Sequence, residues 1–212
     1  TLKPVLVETV WGNDEFKYIS DYWGEVGSAG IAEDFVLKNL GYLAGGGKLK
    51  TGTTNEKYRV QFNSSGSAGT KCNLQIMVGG PGKLVVTAVS SGDAEQPLAV
   101  AIGTTQVGEI QNFPDKTQAP VTKEFDLSEA KSGDIINLYR TGSGVNVLEI
   151  KWIPNNLPSV DPTWVSETTV WGDGYFANIK DVLYPGVTEI KEDFTSEKIT
   201  YIAGGGKFKP GT

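Results

Sequence analysis

Histidine is absent from the 212 residues, and cysteine and methionine occur once each, as Cys72 and Met77. Without histidine there is no Ser-His-Asp or Cys-His nucleophile and no imidazole-ligated metal. A single cysteine cannot close an intrachain disulfide or fill a multi-cysteine zinc site. Arginine is confined to Arg59 and Arg140, and 19 Lys and Arg face 25 Asp and Glu, for a net charge of -6. That balance disfavours nucleic acid, which needs clustered cations to displace phosphate counterions. No apolar run approaches the roughly 18 residues of a membrane-spanning helix. Thr1-Leu2-Lys3-Pro4 lacks a charged and apolar leader, so the chain reads as a mature fragment. What is abundant is glycine, at 27 residues, with 39% hydrophobic and only 21% charged residues. This is the composition of an ordered globular protein. Little Cys and much Gly, Thr, Ser and Asn fit a bacterial secreted or cell-surface protein.

The tail of the chain echoes its head. Glu8-Thr9-Val10-Trp11-Gly12 returns as Glu167-Thr168-Thr169-Val170-Trp171-Gly172, with one residue inserted. Phe16, Ile19 and Asp21 then align with Phe176, Ile179 and Asp181. After a one-residue slip, Glu33-Asp34-Phe35 matches Glu192-Asp193-Phe194. The segment from Tyr42 to Thr53 matches Tyr201 to Thr212 with few changes, among them Leu49 to Phe208 and Thr51 to Pro210. The spacing is too long for a solenoid or propeller, whose repeats run to roughly 20–50 residues. The expected organisation is a complete module over 1–154, a Pro- and Asn-rich linker over 155–162, and a truncated second copy of the N-terminal part over 163–212. A piece that short should not bury a core alone. It is therefore expected to dock on the first module or to exchange strands with another chain.

Between 58 and 152 the pattern alternates with a period of two residues. Leu74, Ile76 and Val78 share a face, as do Leu84, Val86 and Ala88, then Leu98, Val100 and Ile102, then Ile136 and Leu138. Gly79-Gly80-Pro81-Gly82 and Thr141-Gly142-Ser143-Gly144 mark turns. The last strand is expected to set Asn146, Leu148, Ile150 and Trp152 on one face. Such patterns at short intervals predict an all-β, jelly-roll-like antiparallel β-sandwich. The best helix candidate is one turn over Asp126–Lys131. Gly45-Gly46-Gly47-Lys48 lacks the spacing of a phosphate loop and reads as a turn into a strand whose edge Lys48 and Lys50 keep soluble.

The order of these segments resembles a β-sandwich module of secreted Bacteroidetes-type proteins, often appended to pectate lyases and other polysaccharide-degrading enzymes. The residues that carry it are Trp11-Gly12, Tyr42 through Lys50, Gly79 through Val86 with Ala88 through Ser91, Leu98-Ala99-Val100, Gly133 through Tyr139, and Ser143 through Trp152. The family usually carries an arginine before its Leu-x-Val strand, where this chain has Glu95-Gln96-Pro97. The resemblance implies a non-catalytic accessory module that binds polysaccharide or displays other domains. It transfers no catalytic residue.

Sugar-binding sandwiches stack exposed rings on sugar faces and hold hydroxyls with polar groups. Tyr22-Trp23 is the aromatic pair outside any strand pattern, and its counterpart in the tail is Val182-Leu183. The position is either core filler in both copies or a binding ring that only the first copy carries. Arg59 and Arg140 each follow a tyrosine, Tyr58 and Tyr139, so one member of each pair faces inward. An outward guanidinium holds a carboxylate through paired N–H groups, which makes pectin-like uronate chains a candidate ligand. Trp11, Trp171 and Trp152 are expected to be structural, and Trp164 lies near the linker. No cofactor is expected. Asn13-Asp14-Glu15 and Asp173-Gly174 offer oxygens to a structural calcium, but without the spacing of a calcium loop. The alternative to a glycan-binding module is a structural or adhesive surface repeat that binds no sugar.

Overall fold

A computed structural model describes residues 1–155, 172–196 and 199–210, with 173–175 and 195–196 described by backbone alone. The chain divides into two compact units, Thr1–Leu157 and Pro158–Thr212. Among the described residues no helix is long and apolar enough to cross a membrane. Trp164, Trp171 and the linker from 156 onward lie outside the described residues.

The first unit is an all-β sandwich with one helix. Its elements are β1 (Thr9–Trp11), α1 (Asn13–Ala29), β2 (Phe35–Leu37), β3 (Leu40–Leu43), β4 (Leu49–Thr54), β5 (Lys57–Phe62), β6 (Asn73–Met77), β7 (Gly82–Ser90), β8 (Gln96–Ile102), β9 (Thr105–Phe113), β10 (Val121–Leu127), β11 (Ile135–Arg140) and β12 (Val145–Pro154). One sheet runs β10-β7-β12-β5-β4, with β1 also on β12; the other runs β2-β3-β6-β11-β8-β9. Every pairing of these strands is antiparallel. Between the sheets lie Leu84, Val86 and Ala88 of β7, Leu98 and Val100 of β8, Leu74 and Ile76 of β6, and Ile136 and Leu138 of β11. Alternation in sequence placed these side chains inward because each strand packs on one face only.

The helix α1 departs from the sequence expectation, which found no helical period there. Its inward stripe is Phe16, Ile19 and Gly27, all buried, with Trp23 half-buried against the same core. The spacing of Phe16, Ile19 and Trp23 fits a helix face; the helix then kinks at Gly24, with φ of 51°, before Gly27, glycine contributes no apolar signal, and Tyr18 and Tyr22 resemble strand residues. Gly27 is needed for contact: a Cβ there would strike the Thr51 hydroxyl of β4. The single turn expected at Asp126–Lys131 is instead the end of β10 and the turn after it.

The last strand also departs from simple alternation. Val147 pairs with Ala88 and Glu149 with Thr87, so Leu148 is an extra residue and the register shifts. Before this β-bulge Val145 and Val147 face the core; after it Ile150 and Trp152 do. A bulge changes which residues point inward and sharpens the local twist. Leu148 therefore leaves the face it was expected to share with Ile150 and Trp152.

The second unit contains α2 (Asp173–Asn178), a π-helical turn over Ile179–Leu183, β13 (Phe194–Ser196) and β14 (Ile199–Tyr201). Its backbone bonds reproduce those of the head. Phe176 N donates to Gly172 O at 3.0 Å as Phe16 N does to Gly12 O at 2.9 Å. Ala203 N donates to Asp193 Oδ1 at 2.7 Å as Ala44 N does to Asp34 Oδ1 at 2.8 Å. Phe194 pairs with Tyr201 as Phe35 does with Tyr42, and Ile190 bridges Phe208 as Ile31 bridges Leu49. A small cluster of Ile179, Ile190 and Phe194 forms its interior.

Candidate binding site

The far face of the first sheet, turned away from the core, carries the most developed site. On β5, Val60 and Phe62 are buried inside, so Arg59 and Gln61 point outward, opposite Gly52 and Lys50 of β4. On β12, Asn146 lies outward, opposite Gln61 and Val89. The bulge then turns two consecutive residues, Leu148 and Glu149, to this same face. They line a groove of about 410 Å³ with Asn13, Asn55, Lys57, Thr87 and Pro120. A groove of this size falls within the usual range for small ligands, roughly 300–1,000 Å³.

Each lining residue is held by the fold. Asn13 begins α1, and its Oδ1 accepts from Tyr58 N at 2.9 Å, fixing the helix start to β5. Asn55 sits in the β4–β5 turn with φ of 50°, a conformation asparagine tolerates. Thr87 Oγ1 lies 2.8 Å from Thr122 Oγ1 on the neighbouring strand. Leu148 and Pro120 supply an apolar floor, while Asn13, Asn55, Lys57, Thr87 and Glu149 supply donors and acceptors. Beside the groove, Asn146 is 6% exposed, and its Oδ1 is buried with no protein partner.

Arg59 occupies the next position along the ladder from the Val60–Val147 pair, beside Leu148. Its Nη1 donates to Lys50 O at 3.2 Å. It lies across Gly52, where a Cβ would come within 3.4 Å of Nη2; the glycine has φ of 140°, in a region that disfavours side chains. Arg59 Nε is buried without a partner, and burial lowers the guanidinium pKa. Among the described residues no carboxylate pairs with it.

The other residues expected at a site do not join this face. Arg140 ends β11 opposite Leu98, on the core side of the other sheet. Its Nε is buried and unpartnered; burial lowers its pKa, and the neighbouring Cys72 opposes that shift. Tyr139 takes the opposite side, buried with Ala99 and Ala101. The Tyr22-Trp23 pair divides between its two readings. Trp23 packs on the core, 5.8 Å from the Phe35 ring, and its Nε1 is buried without a partner. Tyr22 is 64% exposed and stands edge-on to Trp23 at 5.6 Å. Four candidates thus occupy three places, and Arg59 alone shares the groove's sheet face, two residues along β5 from its Lys57 but not among the lining residues.

For a structural cation, the oxygens of Asn13 and Glu15 are already engaged: Glu15 Oε2 accepts from Gly12 N at 2.9 Å, and Asn13 Oδ1 holds Tyr58. Among the described residues no group of three or more His, Cys, Asp or Glu side chains gathers as metal ligands. The sequence hid the groove because two of its walls, Leu148 and Glu149, come from a bulge, and Asn13 looked like a loop residue. A strand asparagine at 146, unusual where no bond awaits it, was the one visible signal.

No family model matches the chain, and no curated protein does. Solved structures show distant similarity. A CBM36 carbohydrate-binding module in complex with calcium and xylotriose is 17% identical, with a TM-score of 0.38, over 49% of this chain and 92% of that one. The CBM22-1 xylan-binding domain of Paenibacillus barcinonensis Xyn10C is 12% identical, TM-score 0.38, over 55% and 87%. A family 35 carbohydrate-binding module from Clostridium thermocellum is 12% identical, TM-score 0.37, over 57% and 97%. Likeness at this level settles no ligand for this chain, so its site is read from its own geometry.

Proposed function

We propose that the first unit is a non-catalytic carbohydrate-binding module of an extracellular or cell-surface bacterial protein. The observation that carries the reading is the groove on the outer sheet face, where one β-bulge aims Leu148 and Glu149 together between Asn13, Asn55, Lys57 and Thr87. An apolar floor rimmed by amides, a hydroxyl and one charge of each sign suits a sugar, whose faces are apolar and whose edges are hydroxyls. Lys57 lines the groove and Arg59 stands two residues further along β5 on the same face of an otherwise acidic chain, and among the described residues no carboxylate pairs with Arg59. The ligand class that matches is an acidic polysaccharide such as a pectin-like uronate chain, with the carboxylate on the guanidinium fork. Affinity-gel electrophoresis of the whole chain tests this. Retardation by polygalacturonate, reduced by Arg59→Ala and abolished by Leu148→Asp, is the expected result. Unchanged mobility in neutral and acidic polysaccharides alike overturns it.

A second reading, a structural or adhesive repeat, is favoured by one specific feature. No aromatic ring lines the groove; the exposed rings Tyr18 and Tyr22 lie on α1 instead.

A further inference from the structure

The two sheets of the first unit each end in an edge strand, β10 in one and β9 in the other. Along β9 the pairing with β8 slips. Leu98 faces Gln111 and Val100 faces Val107, so Gly108, Glu109 and Ile110 stand against Ala99 alone. Gly108 takes φ of 66°, a conformation glycine adopts freely. Extra residues of this kind bend a strand. Beside the bend a second cleft of about 400 Å³ lies between the start of β9 and the end of β10. Its floor is apolar: Leu127 is buried, and Ile102 and Val107 are half-buried against the core. Its rim is polar, with Thr105 and Gln106 on one side and Asp126, Ser128 and Glu129 on the other. Among the described residues no lysine or arginine lines it.

Internal hydrogen bonds fix what this rim offers. Asp126 Oδ1 accepts from Ser128 N at 3.0 Å, and its Oδ2 accepts from Ser128 Oγ at 3.2 Å. The serine hydroxyl is thereby left as an acceptor, and both carboxylates keep lone pairs for further donors. The hydroxyl of buried Tyr139 donates to Gln106 Oε1 at 3.3 Å. That bond engages the oxygen of the amide and leaves its N–H donors for a ligand.

We propose that this cleft is a second carbohydrate site and that it takes a neutral glycan. A pyranose has apolar faces for the floor, and hydroxyls that donate to Asp126 and Glu129 while accepting from Gln106. A uronate is repelled, because it meets two carboxylates and no base. A metal ion or an ammonium group would use the carboxylates but would gain nothing from the Gln106 N–H groups or from three aliphatic side chains. The cleft shares no residue with the groove, where Lys57, and Arg59 on the same face, favour an acid. Pro120 of the groove precedes β10 and Leu127 of the cleft ends it, so at roughly 3.3 Å per residue the two lie about 20 Å apart. Two sites with opposite charge preference let one module hold an acidic and a neutral polysaccharide together.

Affinity-gel electrophoresis of the whole chain separates the two sites. Gels carrying hydroxyethylcellulose, arabinoxylan or galactomannan present neutral chains, and a polygalacturonate gel presents an acidic one. At least one neutral polysaccharide is expected to retard the chain. Gln106→Ala and Glu129→Ala, both at exposed positions, should each weaken that retention by about tenfold, the loss of one or two hydrogen bonds. Both should leave retention by polygalacturonate unchanged. Leu148→Asp, in the groove, should do the reverse. Absence of retardation in all three neutral gels overturns the proposal, whatever polygalacturonate does. Neutral retention that survives both cleft substitutions, or that Leu148→Asp abolishes, overturns it too by assigning the neutral chain to another surface.

Discussion

Residues 8–53 and the described part of their echo, within 172–210, share hydrogen bonds but not burial. Both close the same aspartate-to-backbone bond, at Asp34 and at Asp193. Both pair a phenylalanine with a tyrosine across a short hairpin. Yet the head buries Phe16, Ile19, Ile31, Tyr42 and Leu49 in the main core, while among the described residues of the tail the buried apolar ones are Ile179, Ile190 and Phe194. The lesson is about where each property is encoded. Turns, caps and hairpin register are set by neighbours in sequence. Burial is set by strands later in the chain, from β6 some 30 residues on to β12 at the end of the unit, and among the described residues the second unit holds no counterpart of them.

Substitutions that respond to burial should therefore separate the two copies most. Truncating Phe16 to alanine opens a cavity at a fully buried site and should destabilise the first unit by about 3–5 kcal/mol. The same change at half-exposed Phe176 should fall within about 1 kcal/mol, and urea denaturation of the whole chain measures both. Equal effects would mean that the tail's face is covered in solution. A smaller difference is expected at the helix packing. Gly27→Ala forces a methyl against the Thr51 hydroxyl, an overpacking worth about 1–3 kcal/mol. Thr51→Ala in the same chain should recover part of it, since it removes the struck atom. If Gly27→Ala proves neutral, α1 does not sit this closely on β4.

At the level of the shared bonds the comparison should vanish. Asp34→Ala and Asp193→Ala each leave one backbone N–H without its acceptor. Each should cost about 1 kcal/mol, read as faster amide exchange at Ala44 and at Ala203. A loss confined to Ala44 would show that the tail's bond depends on more than its local sequence.

The same division explains what could be read from sequence. Strands such as Asn73–Met77 and Gly82–Ser90 were legible because one face alone meets the core and alternation records it. Helix α1 was not, because its stripe passes through Gly27, a contact made by the absence of a side chain. The groove was not, because a bulge erases alternation at the position where it matters, turning Leu148 and Glu149 outward together. For Arg59 the sequence left open whether it or Tyr58 faces inward, and the strand turns Arg59 away from the core. Arg140 followed the same rule, but its tyrosine took the outer side, and no sequence pattern decides between the two faces at a strand end.

The smallest expected effect concerns pH, and it again sets a buried group against its exposed surroundings. Tyr42 has its phenol pKa raised, chiefly because burial penalises the phenolate and secondarily because the Cys72 sulfur, 3.7 Å from its hydroxyl, disfavours a second negative charge. In the unfolded chain the same phenol titrates at about 10. A raised folded pKa means that the neutral phenol's contribution is fully present below that value. As pH climbs past it, the unfolded chain releases the proton and the folded one retains it, so stability falls. Denaturation midpoints of the first unit should therefore decline above pH 10, and Tyr42→Phe, which removes the ionisation, should flatten that decline. A slope that Tyr42→Phe leaves unchanged would show that another group carries the alkaline loss.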